Sequence, residues 1–343
     1  MLDTLRSIMT PAGYHGHGRR PPFFEGWYFK LVDATEQHRL AIIPGISLAP
    51  DSAKTHAFVQ LLDGSSGRSA YREYEAKDFA CPSQTLDLSI RSNRFTGQGI
   101  TVDVDTPGFG VRGSVNFGPL TPWPVTLTSP GIMGWYGWMP FMECYHGVLS
   151  MDHSLAGRLA VDGREVDFTG GRGYIEKDWG RSFPSAWIWM QTNHFDEPGV
   201  SLSASVAIIP WIGRSFPGFI VGLLRGGRLH RFATYTGARL ARLSFGDTEV
   251  SWTVRDREHE LTMRATRSAG SLLRAPSTTA MDRRIAESLT AVVDITLTDV
   301  GSGRVVFTGR GRNAGLEVGG RPETLLAMAQ EQGASHTQAA GDL

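Results

Sequence analysis

The sequence is short of cysteine, of lysine and of long apolar runs. Its 343 residues hold two cysteines, Cys81 and Cys144. Two thiols build no disulfide scaffold, and neither sits in a C-x-x-C pair of the kind that binds zinc. No apolar stretch approaches the ~20 residues of a membrane-crossing helix. Residues 1–14 lack a basic start followed by an apolar run, so no secretory signal is expected and a reducing cytoplasm is the expected setting. Peripheral contact with a membrane stays compatible with that setting. Formal net charge is zero, and the charges are scattered along the chain. That excludes the basic footprint of a nucleic-acid binder. Lysine occurs only at Lys30, Lys54, Lys77 and Lys177. Codon bias toward arginine explains most of this. A lysine kept against that bias marks a place for a compact ammonium, which arginine does not replace geometrically. Oligomeric state leaves no mark in the sequence.

What is abundant is punctuation. Forty-one glycines and eighteen prolines break the chain into short alternating runs, the pattern of strands and tight turns. Such runs cover 39–47, 55–62, 85–90, 100–104, 109–117, 147–151, 157–161, 172–177 and 186–195. They continue through 200–209, 228–235, 249–254, 258–265, 290–298 and 304–308. Helices are expected only over 280–288 and 321–332. In the second, Leu325, Met328 and Ala329 have the spacing of one helix face. The fold class is therefore all-β, as barrels or sandwiches. The expected organisation is an extension over 1–20, a β domain over 21–185, a second β domain over 186–332, and a small, polar, disordered tail over 333–343. Six of the nine tryptophans fall between Trp123 and Trp189. Residues 117–141 read as an irregular loop over something apolar.

Three segments carry candidate chemistry. In Phe24-Glu25-Gly26-Trp27-Tyr28-Phe29-Lys30, a strand puts Glu25, Trp27 and Phe29 on one face. A carboxylate among aromatics needs a partner or a proton. The plain alternative to a functional role is an ion pair with an arginine. The second segment, Glu143-Cys144-Tyr145-His146 continuing to Asp152-His153, gathers histidines and acids for proton transfer. Its spacing fits no familiar zinc pattern, and no metal is expected. The third is Gly173-Tyr174-Ile175-Glu176-Lys177-Asp178-Trp179-Gly180. Tyr174, Glu176 and Asp178 share one strand face; Ile175, Lys177 and Trp179 share the other. The run that follows aligns Trp187, Trp189, Gln191 and Asn193, an aromatic wall ending in amides. A lipid pocket with a polar end is lined that way. A tryptophan-rich core with its amides on backbone groups is the plain alternative.

These strings resemble the tocopherol cyclase family, together with Phe183-Pro184, Leu272-Leu273-Arg274-Ala275-Pro276 and Gly315-Leu316-Glu317-Val318-Gly319-Gly320. The likeness runs from about residue 22 to 320. It implies two lipocalin-like or sandwich-barrel domains with a ligand pocket at or near their interface. It also implies a small hydrophobic, isoprenoid-like ligand. Plant members close a chromanol ring on a prenylated hydroquinone, and the wider group is similar to carotenoid 1,2-hydratases and fungal lipocalin-like cyclases. A Tyr-x-Asp of the hydratases corresponds to Tyr174-Ile175-Glu176 here, which maps the proton donor onto Glu176 with Tyr174 beside it. Asp178 or His146 then serves as base, and Glu25, Trp27, Tyr145, Trp179, Trp187, Trp189, Gln191 and Asn193 face the substrate. Alkene protonation needs an acid held protonated near neutral pH, and an apolar site beside a second carboxylate favours that. Tryptophan faces stabilise the resulting cation. No cofactor is required: there is no redox step and no phosphate-binding glycine loop. Hydration of a polyene, or non-catalytic lipid carriage, are the alternatives to ring closure.

Overall fold

The computed structural model describes residues 7–341, with side chains in the C-terminal helix described through residue 332. The chain is nearly all-β, with 60% strand and 8% helix, and the strand registers described within its two large sheets are antiparallel. It divides into two compact units. The first takes Met1–Phe183 and Ser271–Ile285; the second takes Pro184–Gly270 and Ala286–Leu343.

In the first unit the strands lie in the order Arg68–Glu75, His56–Asp63, Arg39–Leu48, Phe23–Val32, Arg172–Gly180, Cys144–Val161, Phe109–Phe117, Gly99–Thr106, Asn93–Thr96, Asp87–Ile90 and Phe79–Ala80. The sheet curls so that its edge strand Arg68–Glu75 approaches strands of the far half. Arg68 on one edge strand donates to the carbonyl of Gly108 at 3.1 Å, and Asn93 donates to the Tyr74 hydroxyl at 3.4 Å. Period-two alternation explains the inner face: Ile100, Val102 and Val104 are buried while the residues between them are exposed or partly so. Phe29, Leu31, Ile42, Val59, Phe95, Leu159 and Ile175 belong to the same core.

Residues 271–285 join this unit from the far half of the sequence. The Gln60 carboxamide brackets the backbone of Arg274, donating to its carbonyl at 3.2 Å and accepting from its N–H at 2.7 Å. The Ser69 hydroxyl donates to the Leu272 carbonyl at 2.9 Å. The Arg274 guanidinium lies over the Tyr71 ring, 4.4 Å from its centroid. The short helix expected over 280–288 does not form. Arg283–Asp299 is a strand, with Ile285, Glu287, Leu289, Ala291, Val293, Ile295 and Leu297 buried in alternation. Five β-branched or aliphatic residues at a spacing of two outweigh the local helical preference of Ala286 and Glu287.

The second unit orders its strands Arg228–Ala233, Arg214–Arg225, Ser201–Trp211, Ala186–Thr192, Val305–Gly320, Arg283–Asp299, His259–Thr266, Glu249–Arg255 and Arg239–Phe245. Its core collects Ile188, Met190, Val206, Val221, Trp252, Leu261 and Val293. The helix Pro322–Gly341 lays Leu325 into that core, with Met328 packed at its margin and Ala329 buried on the same helix face. Proline opens the helix, where a missing N–H costs nothing. Of the tail expected to be disordered, 333–343, the side chains and the last two residues lie outside the described residues. Among the described residues no helix is long and apolar enough to cross a membrane.

Candidate active site

Three adjacent strands build the site. Arg172–Gly180 sits between Phe23–Val32 and Cys144–Val161. Registers place Tyr28 and Val148 beside Glu176, and Gly26 and His146 beside Asp178. Residues directly opposed across an antiparallel pair share a sheet face. One face therefore carries Tyr174, Glu176, Asp178 and His146. The other carries Lys177, Trp179, Trp27, Glu25 and Tyr145.

On the first face four polar groups converge. The Tyr174 hydroxyl donates to Glu176 Oε2 at 2.5 Å. His146 Nδ1 is 2.9 Å from Asp178 Oδ1, and its Nε2 is 3.6 Å from Glu176 Oε2. Tyr174 and Glu176 are buried and His146 nearly so. Burial alone would strip the proton from His146. The carboxylates of Asp178 and Glu176, with the hydrogen bond to Asp178, outweigh burial and raise its pKa to about 9. The imidazole is thus an imidazolium at neutral pH. Its Nδ1–H is spent on Asp178, and its Nε2 lies in the interior without a hydrogen-bond partner. One donor atom from each of His146, Glu176 and Asp178 falls within 4.8 Å of the others, close enough to hold a cation. The bound proton places positive charge between the same carboxylates without one.

The opposite face holds a buried ion pair. Lys177 and Glu25 are both fully buried, and the ammonium donates to Glu25 Oε1 and, at 2.6 Å, to the Gly13 carbonyl. Indole faces of Trp27 and Trp179 stand 4.4 and 4.8 Å from Nζ. His15 completes the cluster. Its Nε2 is 3.1 Å from the Ser7 carbonyl, which can only accept, so Nε2 carries the hydrogen. Nδ1 then accepts from Lys177 at 3.1 Å. Burial and the neighbouring ammonium both lower the His15 pKa, which keeps it neutral. Burial would raise the Glu25 pKa, but Lys177 and His15 hold it below the usual carboxylate range. The partner of Glu25 is a lysine, where the plain alternative to a functional role names an arginine. The compact ammonium meets Glu25, the Gly13 carbonyl and His15 Nδ1 at one point. His15, Trp179 and Tyr145 stack in succession, with centroids 4.2 and 5.5 Å apart.

The residues expected to share one site are thus distributed over two faces of one sheet and a strand of the second unit. That strand, Ala186–Thr192, carries Trp187, Trp189 and Gln191, with Asn193 just beyond it, and all four are buried. Trp187 donates its indole N–H to Glu317 at 2.9 Å. Its ring lies flat on Gly319, where an added Cβ would meet the indole at 2.2 Å. Neighbours expected beside His146 go elsewhere. Asp152 forms a two-point pair with Arg172 at 2.6 and 2.9 Å. Glu143 accepts from Ser182 at 2.6 Å. His153 contacts Ser150 Oγ at 3.0 Å, and burial lowers its pKa to about 4. Register shifts between Val148, Ser150 and His153 carry it out of line with His146. His15 and Gly13 gave no signal in the sequence. Lys177 did, as a lysine retained among arginines.

The fold and this face define an all-β protein of lipocalin-like kind with a partly buried acid–base cluster at the middle of a sheet. The sequence profile described as tocopherol cyclase-like matches residues 89–320, about two-thirds of the chain. The chain belongs to the tocopherol cyclase-like family. It is 23% identical over 416 residues to the probable chloroplastic tocopherol cyclase of Oryza sativa subsp. japonica, covering 92% of this chain and 80% of that protein. It is 24% identical over 404 residues to the chloroplastic tocopherol cyclase of Zea mays, covering 92% and 79%. Among solved structures, CghA with Sch210972 aligns with a TM-score of 0.55 at 13% identity, over 88% of this chain and 89% of that one. A putative AttH from Nitrosomonas europaea aligns at 0.51 with 16% identity, over 89% and 94%. These two likenesses show the fold.

Proposed function

We propose that this protein is an enzyme of the cyclase type, closing a ring on a prenylated hydroquinone or related isoprenoid by acid catalysis. The observation that carries the reading is the Tyr174–Glu176–His146–Asp178 cluster, buried at Tyr174 and Glu176 and partly open at Asp178, which stores a proton at neutral pH. Glu176 delivers that proton to the less substituted alkene carbon. A C–H bond forms and a tertiary cation is left. The substrate's phenolic oxygen attacks the cation, its O–H bond breaks, and the proton returns to the cluster. Product and substrate are isomers, so no redox partner enters. Asp178 holds His146 as the imidazolium that recharges Glu176, and Tyr174 fixes the position of Oε2. Glu25, Trp27, Tyr145 and Trp179 act one layer behind: with Lys177 they pin the strand that carries Glu176.

The test is turnover of a prenylated methylhydroquinone by the native protein and by Glu176→Gln. The Gln variant keeps the shape and loses the transferable proton. It is expected to bind the substrate with unchanged affinity and to lose turnover. Equal turnover by the two proteins removes Glu176 from the mechanism. Binding without turnover in the native protein indicates a carrier, and a product heavier by one water indicates a hydratase.

A further inference from the structure

Eight large hydrophobic side chains are well exposed among the described residues. Four of them fall in one short stretch: Val125 at 37% exposure, Leu127 at 75%, Trp135 at 40% and Phe141 at 52%. This stretch lies within residues 118–142, which contain no Asp, Glu, Lys, Arg or His. One residue in five of the whole chain is charged, so a run of this length should hold about five charges on composition alone. Single exposed hydrophobics need no explanation; a charge-free segment that exposes four does.

The stretch is built, not loose. Val125–Thr126 pairs with Ser129–Pro130 as a two-residue hairpin whose tip is Leu127 and Thr128. The 3-10 turn Gly134–Trp138 folds back onto it, and the Trp138 indole donates to the Leu127 carbonyl at 3.0 Å. Trp135 and Tyr136 stack with centroids 4.0 Å apart. Thr126 accepts from the Ser129 N–H at 3.1 Å, so the tip's polar groups are met locally. The hairpin is tied to the strand of His146. Trp123 donates its backbone N–H to Val148, and the Tyr145 hydroxyl donates to the Met139 carbonyl. Exposed Arg19 acts on Tyr145, and Arg20 follows it, while Glu143 is turned onto Ser182.

We propose that the hairpin and turn over residues 125–141 insert into the surface of a lipid bilayer, with Arg19 and Arg20 meeting anionic headgroups. An exposed leucine at the tip, exposed tryptophan and phenylalanine in the same charge-free segment and cationic side chains available to headgroups are what an interfacial anchor requires. The inference is independent of the reaction assigned to His146 and Glu176, because it rests on a different segment. It goes beyond that assignment by giving a poorly soluble substrate a point of entry.

The experiment is co-sedimentation of the whole protein with vesicles of phosphatidylcholine alone and of phosphatidylcholine with phosphatidylglycerol. It is read against the variant Leu127→Ser/Trp135→Ser/Phe141→Ser. The native protein should bind both vesicles, the anionic ones more tightly. The variant should bind each at least about tenfold more weakly, with a native far-UV circular dichroism spectrum showing that it still folds. Arg19→Ser/Arg20→Ser should abolish only the preference for anionic lipid. Equal binding by native protein and triple variant overturns the proposal. So does a native protein that ignores both vesicles, including one that forms a dimer lost in the triple variant. None of these outcomes depends on turnover.

Discussion

Removing the Lys177 charge while leaving Glu25 in place is the sharpest perturbation of this architecture. In Lys177→Met the carboxylate stays fully buried, keeps only His15 as a polar partner, and the Gly13 carbonyl loses its donor. Breaking a buried pair by deleting one member costs about 3–5 kcal/mol, because an uncompensated charge remains. For a unit of this size that lowers the midpoint of thermal unfolding by roughly 6–20 °C. Removing both charges, as Glu25→Gln/Lys177→Met, should restore most of the loss, giving a coupling of about 2 kcal/mol or more in a double-mutant cycle. The deficit should also depend on pH. In the native cluster burial and the Lys177 charge keep His15 neutral. Without the ammonium, the pull of Glu25 opposes burial alone and the His15 pKa rises. A raised folded-state pKa contributes stability at low pH that is lost as pH rises through it. Calorimetry of Lys177→Met should therefore find a smaller deficit at about pH 6 than at about pH 8. A single variant within about 1 kcal/mol of native stability, or a double variant as damaged as the single, refutes the charge argument.

Two further expectations concern the site and its second strand. The raised pKa of His146, about 9, predicts that turnover falls as pH rises through that value, since the imidazolium is the reservoir for the acid. In Asp178→Asn the main raising influence is gone while burial still lowers the pKa, so this basic limb should move to lower pH. An unmoved limb separates His146 from the rate. Gly319→Ala should displace the Trp187 indole, which a Cβ would meet at 2.2 Å; the expected result is a loss of about 1–3 kcal/mol of stability and a shifted tryptophan emission maximum. Unchanged emission would show that the strand yields instead of the ring.

The faces of Arg172–Gly180 were legible because a strand repeats every two residues. Tyr174, Glu176 and Asp178 separate from Ile175, Lys177 and Trp179 by that rule alone. The union of His146 with Asp178 needed the register between strands that lie far apart in sequence, and a single sequence does not encode register visibly. The bulges between Val148 and His153 erased the simple relation between the two histidines. Glu25 could be seen to need a partner but not which one, because the pairing closes across 152 residues. His15 was silent because its role depends on a stack against Trp179 and a contact with Ser7, neither marked by a pattern. The strand at Arg283–Asp299 was misread at its start, where Ala286 and Glu287 favour a helix locally and sheet neighbours overrule them.

The excursion of residues 271–285 onto the first unit has a bearing on how the protein is made. A ribosome delivers the first 183 residues without the segment that Gln60, Ser69 and Tyr71 receive. Another hundred or so residues must follow before that segment emerges, which at typical synthesis rates takes roughly 5–20 s. During that interval the strands His56–Asp63 and Arg68–Glu75 have their receiving groups exposed to whatever else is nearby, chaperones included. The contacts of Gln60, Ser69 and Tyr71 with residues 271–285 are thus made only after most of the second unit has been synthesised.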